Sequence, residues 1–178
     1  MTSSLYIGVS LRWDYRKREV NCSIPGYYPA ILERFNHPLP SKLQYSSYPA
    51  SQVLYGSTIQ YTTNDESPKL DAKNIKLVQS IVGSILYGAR LIDNTVLVAI
   101  NEIGSQQAHS TTNTLNLCSW LLDYIATYPN PSITFKRSNM ILYIASDSSY
   151  LSVAKSRSRV GGYHFLGNTP NPNIPLSS

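Results

Sequence analysis

Apolar residues recur at every second position near both ends of this chain and at helical spacing through its middle. That change of period restricts the fold more than any other feature. Tyr6 to Trp13 alternates, with Ile7, Val9, Leu11 and Trp13 on one face. Polar Asp14 to Arg18 turns the chain, and Glu19 to Ile24 returns with Val20, Cys22 and Ile24 facing one way, which predicts a β-hairpin. Pro25-Gly26 breaks it. A short helix is expected over about 27–35, because Tyr28, Ile31, Leu32 and Phe35 form the stripe of an amphipathic helix.

Three further helices are predicted between about Asp71 and Tyr128. Asp71 can cap the first, with Ile75, Val78, Val82, Ile85 and Leu86 inward. Gly83 and Gly88 each weaken it by about 1 kcal/mol against alanine, which points to close packing. Asp93 can cap the second, with Val96, Ala99, Ile100 and Ile103 inward. Ser110 or Thr111 can cap the third, with Leu115, Cys118, Leu122 and Ile125 inward and Pro129 ending it. Short connectors fit an antiparallel helical array. A closing β-hairpin follows, so the fold class expected is α+β.

Between Pro38 and Pro68 the pattern dissolves into Pro, Ser, Tyr and Thr. This exceeds the roughly 12–15 residues usual for a structureless loop, so the segment is either a Tyr-anchored surface excursion or a true linker. At 178 residues the chain has room for one domain or two small ones, and 42% hydrophobic content excludes a disordered composition. Cys22 and Cys118 share no paired spacing, which suits core positions in a reducing compartment. No apolar run is long enough to span a bilayer and no secretory signal opens the chain. The expectation is an intracellular protein without a membrane partner.

The net charge of +5 favours polyanionic partners. It gathers at Arg16-Lys17-Arg18, at Lys136-Arg137, and at Lys155, Arg157 and Arg159, each at an expected turn or strand end, where a solvated loop is the plainer reading. The apolar strand Met140 to Ala145 ends on a carboxylate, Asp147. A basic turn and a second strand opening with Gly161-Gly162 follow. No Walker loop, zinc-ligand spacing among His37, His109 and His164, or nucleophile elbow is present, and no small-molecule substrate is evident. Asp65-Glu66 is the one adjacent acid pair and reads as a solvated turn. His164 is expected on an exposed strand face. The 14 tyrosines suit base stacking and burial equally.

The run from Ser146-Asp147-Ser148-Ser149-Tyr150-Leu151 through Arg157-Ser158-Arg159-Val160-Gly161-Gly162-Tyr163 resembles the start of the ribonuclease H domain in copia-type LTR-retrotransposon Pol polyproteins. The resemblance covers most of the chain. Tyr6 to Tyr15 is similar to the family's strand after the polymerase active site, and Pro25-Gly26-Tyr27 with Leu32 to Asn36 to the segment beyond it. Ser80 to Tyr87 is similar to its "S-V-x-G-S-L-L-Y" run, and Leu121-Leu122-Asp123-Tyr124 with Tyr128-Pro129-Asn130 to "L-L-D-Y…T-Y-P-N". The order also agrees.

The resemblance implies a reverse transcriptase palm tail over 1–37, a linker or surface excursion over 38–69 and a thumb/connection-like helical segment over 70–130. It implies the first strands of a ribonuclease H-like domain over 138–168, with a disordered or truncated tail over 169–178. Asp147 would be the first metal-binding carboxylate of the nuclease, both catalytic and metal ligand. The complete parent would use Mg²⁺, two ions held by several carboxylates, whereas none is expected for this chain alone. The family's palm Asp-Asp pair is absent, and its second nuclease acid would lie beyond Ser178. Lys136, Arg137, Lys155, Arg157 and Arg159 would meet a template-primer or RNA–DNA hybrid. The expected role is therefore a fragment that holds nucleic acid without catalysis. Two alternatives stay open: part of an active enzyme completed by missing sequence, or a non-catalytic nucleic-acid-binding module retained by a host.

Overall fold

Alternation and helical spacing each produce the expected kind of element, and the product is an α+β chain. The computed structural model describes residues 2–49, 65–153 and 157–169. Contacts group residues 1–52 with 65–135 as one unit, and 53–64 with 136–178 as a second.

In the first unit, strands β1 (Thr2–Tyr6), β2 (Val9–Asp14) and β3 (Glu19–Ser23) form an antiparallel meander, and β4 (Ser132–Lys136) extends the sheet in the order β1-β2-β3-β4. The predicted single strand from Tyr6 to Trp13 is broken at Ile7-Gly8. Both residues take left-handed backbone, φ 48 and 77, the pattern of a tight two-residue hairpin turn. An isoleucine in that region is strained. Its carbonyl is held by the Tyr87 hydroxyl, which donates to it at 2.5 Å. Leu11 lies opposite Cys22 and Trp13 opposite Val20, so the alternating face is as expected, except that Ile7 is exposed in the turn and Trp13 is exposed at the far end of the strand. This face packs Val9, Leu11 and Val20 against Cys22, Ile24 and Ile92. At the β2–β3 turn, Asp14 Oδ1 accepts from the backbone N–H of Arg16 and Lys17, both at 3.0 Å. The basic cluster there is a capped, exposed turn.

The larger core lies among α1 (Tyr27–Arg34), α2 (Ala72–Leu91), α3 (Leu97–Gln106) and α4 (Thr112–Thr127). The Asp71 carboxylate caps α2 by accepting from Asn74 N at 3.0 Å. Thr111, rather than Ser110, caps α4. It forms a reciprocal capping box with Thr114. All four residues expected inward near α3 are buried. On α4 the buried stripe also takes in Leu117 and Leu121, while Leu115 is only partly buried. Burial pushes the Cys118 thiol up to about 12 and raises that of Cys22, as expected for inert core cysteines.

Of the two α2 glycines, only one marks close packing. A Cβ on Gly88 would come within 2.9 Å of Ile24 Cδ1 and 3.0 Å of the Tyr27 ring, whereas at Gly83 nothing lies within 4 Å. The Tyr27 ring cannot retreat easily, because its hydroxyl donates to the Ser84 carbonyl at 2.6 Å and Tyr28 and Tyr87 flank it. Gly83→Ala is therefore expected to raise stability by about 1 kcal/mol. Gly88→Ala, with the same propensity gain, is expected to lower it by about 1–2 kcal/mol through overpacking. Urea midpoints of the two variants check this. Equal shifts in one direction would contradict it.

The segment after α1 is an ordered excursion as far as it is described. Gln44 N donates to Thr127 Oγ1 at 3.0 Å, Trp120 Nε1 to the Ser46 carbonyl at 2.8 Å, and Ser47 Oγ to the Thr95 carbonyl at 2.8 Å. Tyr48 packs on the helical core. The rest of the expected linker, 50–64, lies outside the described residues. Where the chain resumes, Asp65 is more than a solvated turn residue. Its carboxylate accepts from Ser67 Oγ at 2.6 Å, Ser67 N at 2.9 Å and Thr111 Oγ1 at 2.5 Å, which ties it to the start of α4. The Ser67 hydroxyl, then that of Thr111, holds the Asp65 carboxyl below the usual carboxylate range. No helix among the described residues is long and apolar enough to cross a membrane.

Candidate nucleic-acid interface

The second unit is built on β5 (Ile141–Val153) and β6 (Arg157–Gly167), an antiparallel ribbon with no further strand among the described residues. The expected arrangement, a strand ending at Ala145 and a second opening at Gly161-Gly162, is corrected here. β5 continues past Asp147, and the two glycines lie within β6. The ladder is responsible, since Asp147 pairs with Gly161, Ser148 with Val160 and Ser149 with Arg159 before an irregularity leads to Val153 and Arg157. Aspartate and glycine are poor strand formers, but continuous pairing of Asp147 with Gly161 and of Ser146 with Gly162 overrides their propensity.

Asp147 therefore sits mid-strand and exposed, with Oδ1 accepting from the adjacent Ser148 N at 2.8 Å. It is the single carboxylate in the sequence of this unit. No group of three His, Cys, Asp or Glu side chains able to hold a metal is found among the described residues. A lone exposed carboxylate leaves a hard divalent cation dependent mainly on water.

The cationic residues are distributed unevenly. Lys136, Arg137, Lys155, Arg157 and Arg159 fall in this unit against Asp147, a net +4 out of the chain's +5. Lys136 is the last residue of β4, with Arg137 following it, while Arg157 and Arg159 occupy strand positions at the far end of the ribbon. Lys155 lies outside the described residues. The structure thus places Arg157 and Arg159 on the ribbon and Lys136 at the end of β4, ahead of it.

Period two puts directly paired residues on one face. One face carries Tyr143, Phe165 and Tyr163. Tyr143 and Phe165 are cross-strand partners stacked at 5.0 Å, and Tyr163 is tilted against Phe165 at 5.4 Å. The opposite face carries Leu142, Ile144 and Leu166 with an exposed His164, as expected for that residue. The aromatic row was not singled out from the sequence. Its signal, Tyr143 with Tyr163-x-Phe165, becomes visible only once the cross-strand register is known.

Other polar clusters belong to the first unit and have structural roles. His37 Nε2 lies 2.7 Å from Asp123 Oδ1, linking the exit of α1 to α4. Asp93 lines a cleft of about 430 Å³ with Thr95, Tyr124, Tyr128 and Ile133. Its carboxylate is committed to Tyr28 and Thr95. No protein-family model, curated protein or solved structure matches this chain.

Proposed function

We propose that this chain is the part of a copia-like Pol polyprotein that runs from the end of the polymerase palm, through thumb- and connection-like helices, to the first strands of ribonuclease H. Its work is to hold template-primer or RNA–DNA hybrid rather than to transform it. The observation that carries this reading is the packing of the resembling segments on one another. Tyr27 of the Pro-Gly-Tyr segment donates to Ser84 in the middle of the Ser80–Tyr87 run, and its ring meets Tyr87 at 5.7 Å. Asp123 of the Leu-Leu-Asp-Tyr segment meets His37, just past the Leu32–Asn36 segment. Motif residues that make one core are what a collinear piece of a folded polyprotein requires. The second unit's +4 charge supports a polyanionic partner.

Catalysis in the parent would need Mg²⁺ ligands that these 178 residues do not contain. The purified chain is therefore expected to bind an RNA–DNA hybrid, yet to extend no primer and cleave no hybrid with Mg²⁺ or Mn²⁺. Asp147→Asn should leave both activities at background. An exposed carboxylate of this kind should also alter stability by less than about 0.5 kcal/mol. Template-dependent incorporation, or hybrid cleavage lost on Asp147→Asn, would overturn the proposal.

A further inference from the structure

The aromatic row on the β5–β6 ribbon is set up in a way that hairpin stability alone does not demand. Phe165 and Tyr163 are 41% and 56% exposed, so their rings are not buried as core. They are nevertheless ordered by one another and by Tyr143, whose hydroxyl donates to the Asn168 carbonyl. Gly167 is needed beside Tyr143, since a Cβ there would come within 3.0 Å of the ring. Next to Tyr163 the same face carries Ala145 across the ladder and Gly161 along the strand, and a Cβ on Gly161 would meet nothing within 4 Å. The Tyr163 ring therefore has open space beside it.

We infer that Tyr143, Phe165 and Tyr163 form a stacking platform for single-stranded nucleic acid, with the net positive charge of the same unit attracting its phosphates. The inference rests on the nucleic-acid reading above and names the strand state that this surface takes. Charge complementarity selects the occupant, with five cations set against one carboxylate in the unit. The rings select among polyanions. A duplex keeps its base faces within its own stack, whereas a single strand can lay them on exposed aromatic rings. Pre-ordered rings also lose little side-chain entropy on binding.

The test is fluorescence anisotropy of the full chain with labelled oligo(dT), oligo(rU) and an RNA–DNA hybrid duplex. The variants are Tyr163→Leu and Phe165→Leu, which keep apolar bulk without a ring, Tyr163→Phe, which keeps the ring, and Ile144→Ala on the opposite face. Each leucine variant is expected to weaken oligonucleotide binding about fivefold or more, the loss of one stacked base. Hybrid binding should be unchanged, and Tyr163→Phe and Ile144→Ala should behave as wild type. Leucine variants that bind oligonucleotide as tightly as wild type would overturn the platform, and so would an equal loss from Ile144→Ala. If the wild-type chain binds hybrid but neither oligonucleotide, the platform fails while the broader reading stands. If it binds none of the three, both fail.

Discussion

Asp93→Ala is expected to lower the stability of the chain by about 3 kcal/mol, because it removes the acceptor from a buried hydroxyl and a cap at once. Tyr28 is fully buried and donates its hydroxyl to Asp93 Oδ2 at 2.9 Å. Burial, with the Asp93 charge next, pushes the Tyr28 phenol strongly upward. Asp93 Oδ1 accepts from Thr95 N at 3.3 Å and Thr95 Oγ1 at 2.5 Å, which starts the turn into α3. Alanine supplies neither bond, and the 0%-exposed Tyr28 hydroxyl is left without its acceptor. Tyr28→Phe in the same background removes that orphaned group. The double variant should therefore be less destabilised than the two single losses added together, by about 1–2 kcal/mol. Urea denaturation of the three variants measures this. A loss below 1 kcal/mol for Asp93→Ala, or strict additivity, would show that the pair is not coupled.

Replacing Lys136, Arg137, Arg157 and Arg159 together by glutamine should weaken hybrid binding on the order of a hundredfold at physiological salt. Each phosphate contact contributes about 0.9 to the log–log salt slope, and the counterions it releases drive most non-specific affinity. These positions hold four of the five cations in a unit with a single acid, so neutralising them leaves it without net positive charge. Neutralising Arg16, Lys17 and Arg18 instead should cost far less. They surround a turn capped by Asp14, in a unit whose acids nearly balance its bases. Equal losses from the two sets would mean that the ribbon is not where the nucleic acid lies.

Element types were legible wherever an apolar stripe decides them. Val78, Val82 and Ile85, or Val96, Ala99, Ile100 and Ile103, have no alternative but to face inward on a helix, and all are buried. β1 was not legible, because Thr2-Ser3-Ser4 carries no alternation and its pairing depends on a turn with isoleucine at positive φ. β4 had a signal in Ser132-Ile133-Thr134-Phe135, where alternation is present but short. The site was less legible than the fold. A change of register moves every strand residue to the other face. Asp147 and the aromatic row could therefore be placed only when the pairing of Asp147 with Gly161 was known. The anchors of Asp65 and of residues 44–48 are single hydrogen bonds between distant segments, which no local pattern encodes.

The central claim, that the chain holds nucleic acid through the charge of its β5–β6 unit, is tested most directly by titrating salt against its binding to an RNA–DNA hybrid. The expected result is a straight fall of log K with log salt, with a slope of about −4, as four to five phosphate contacts require. A slope near zero, or no measurable binding at low salt, would contradict the account.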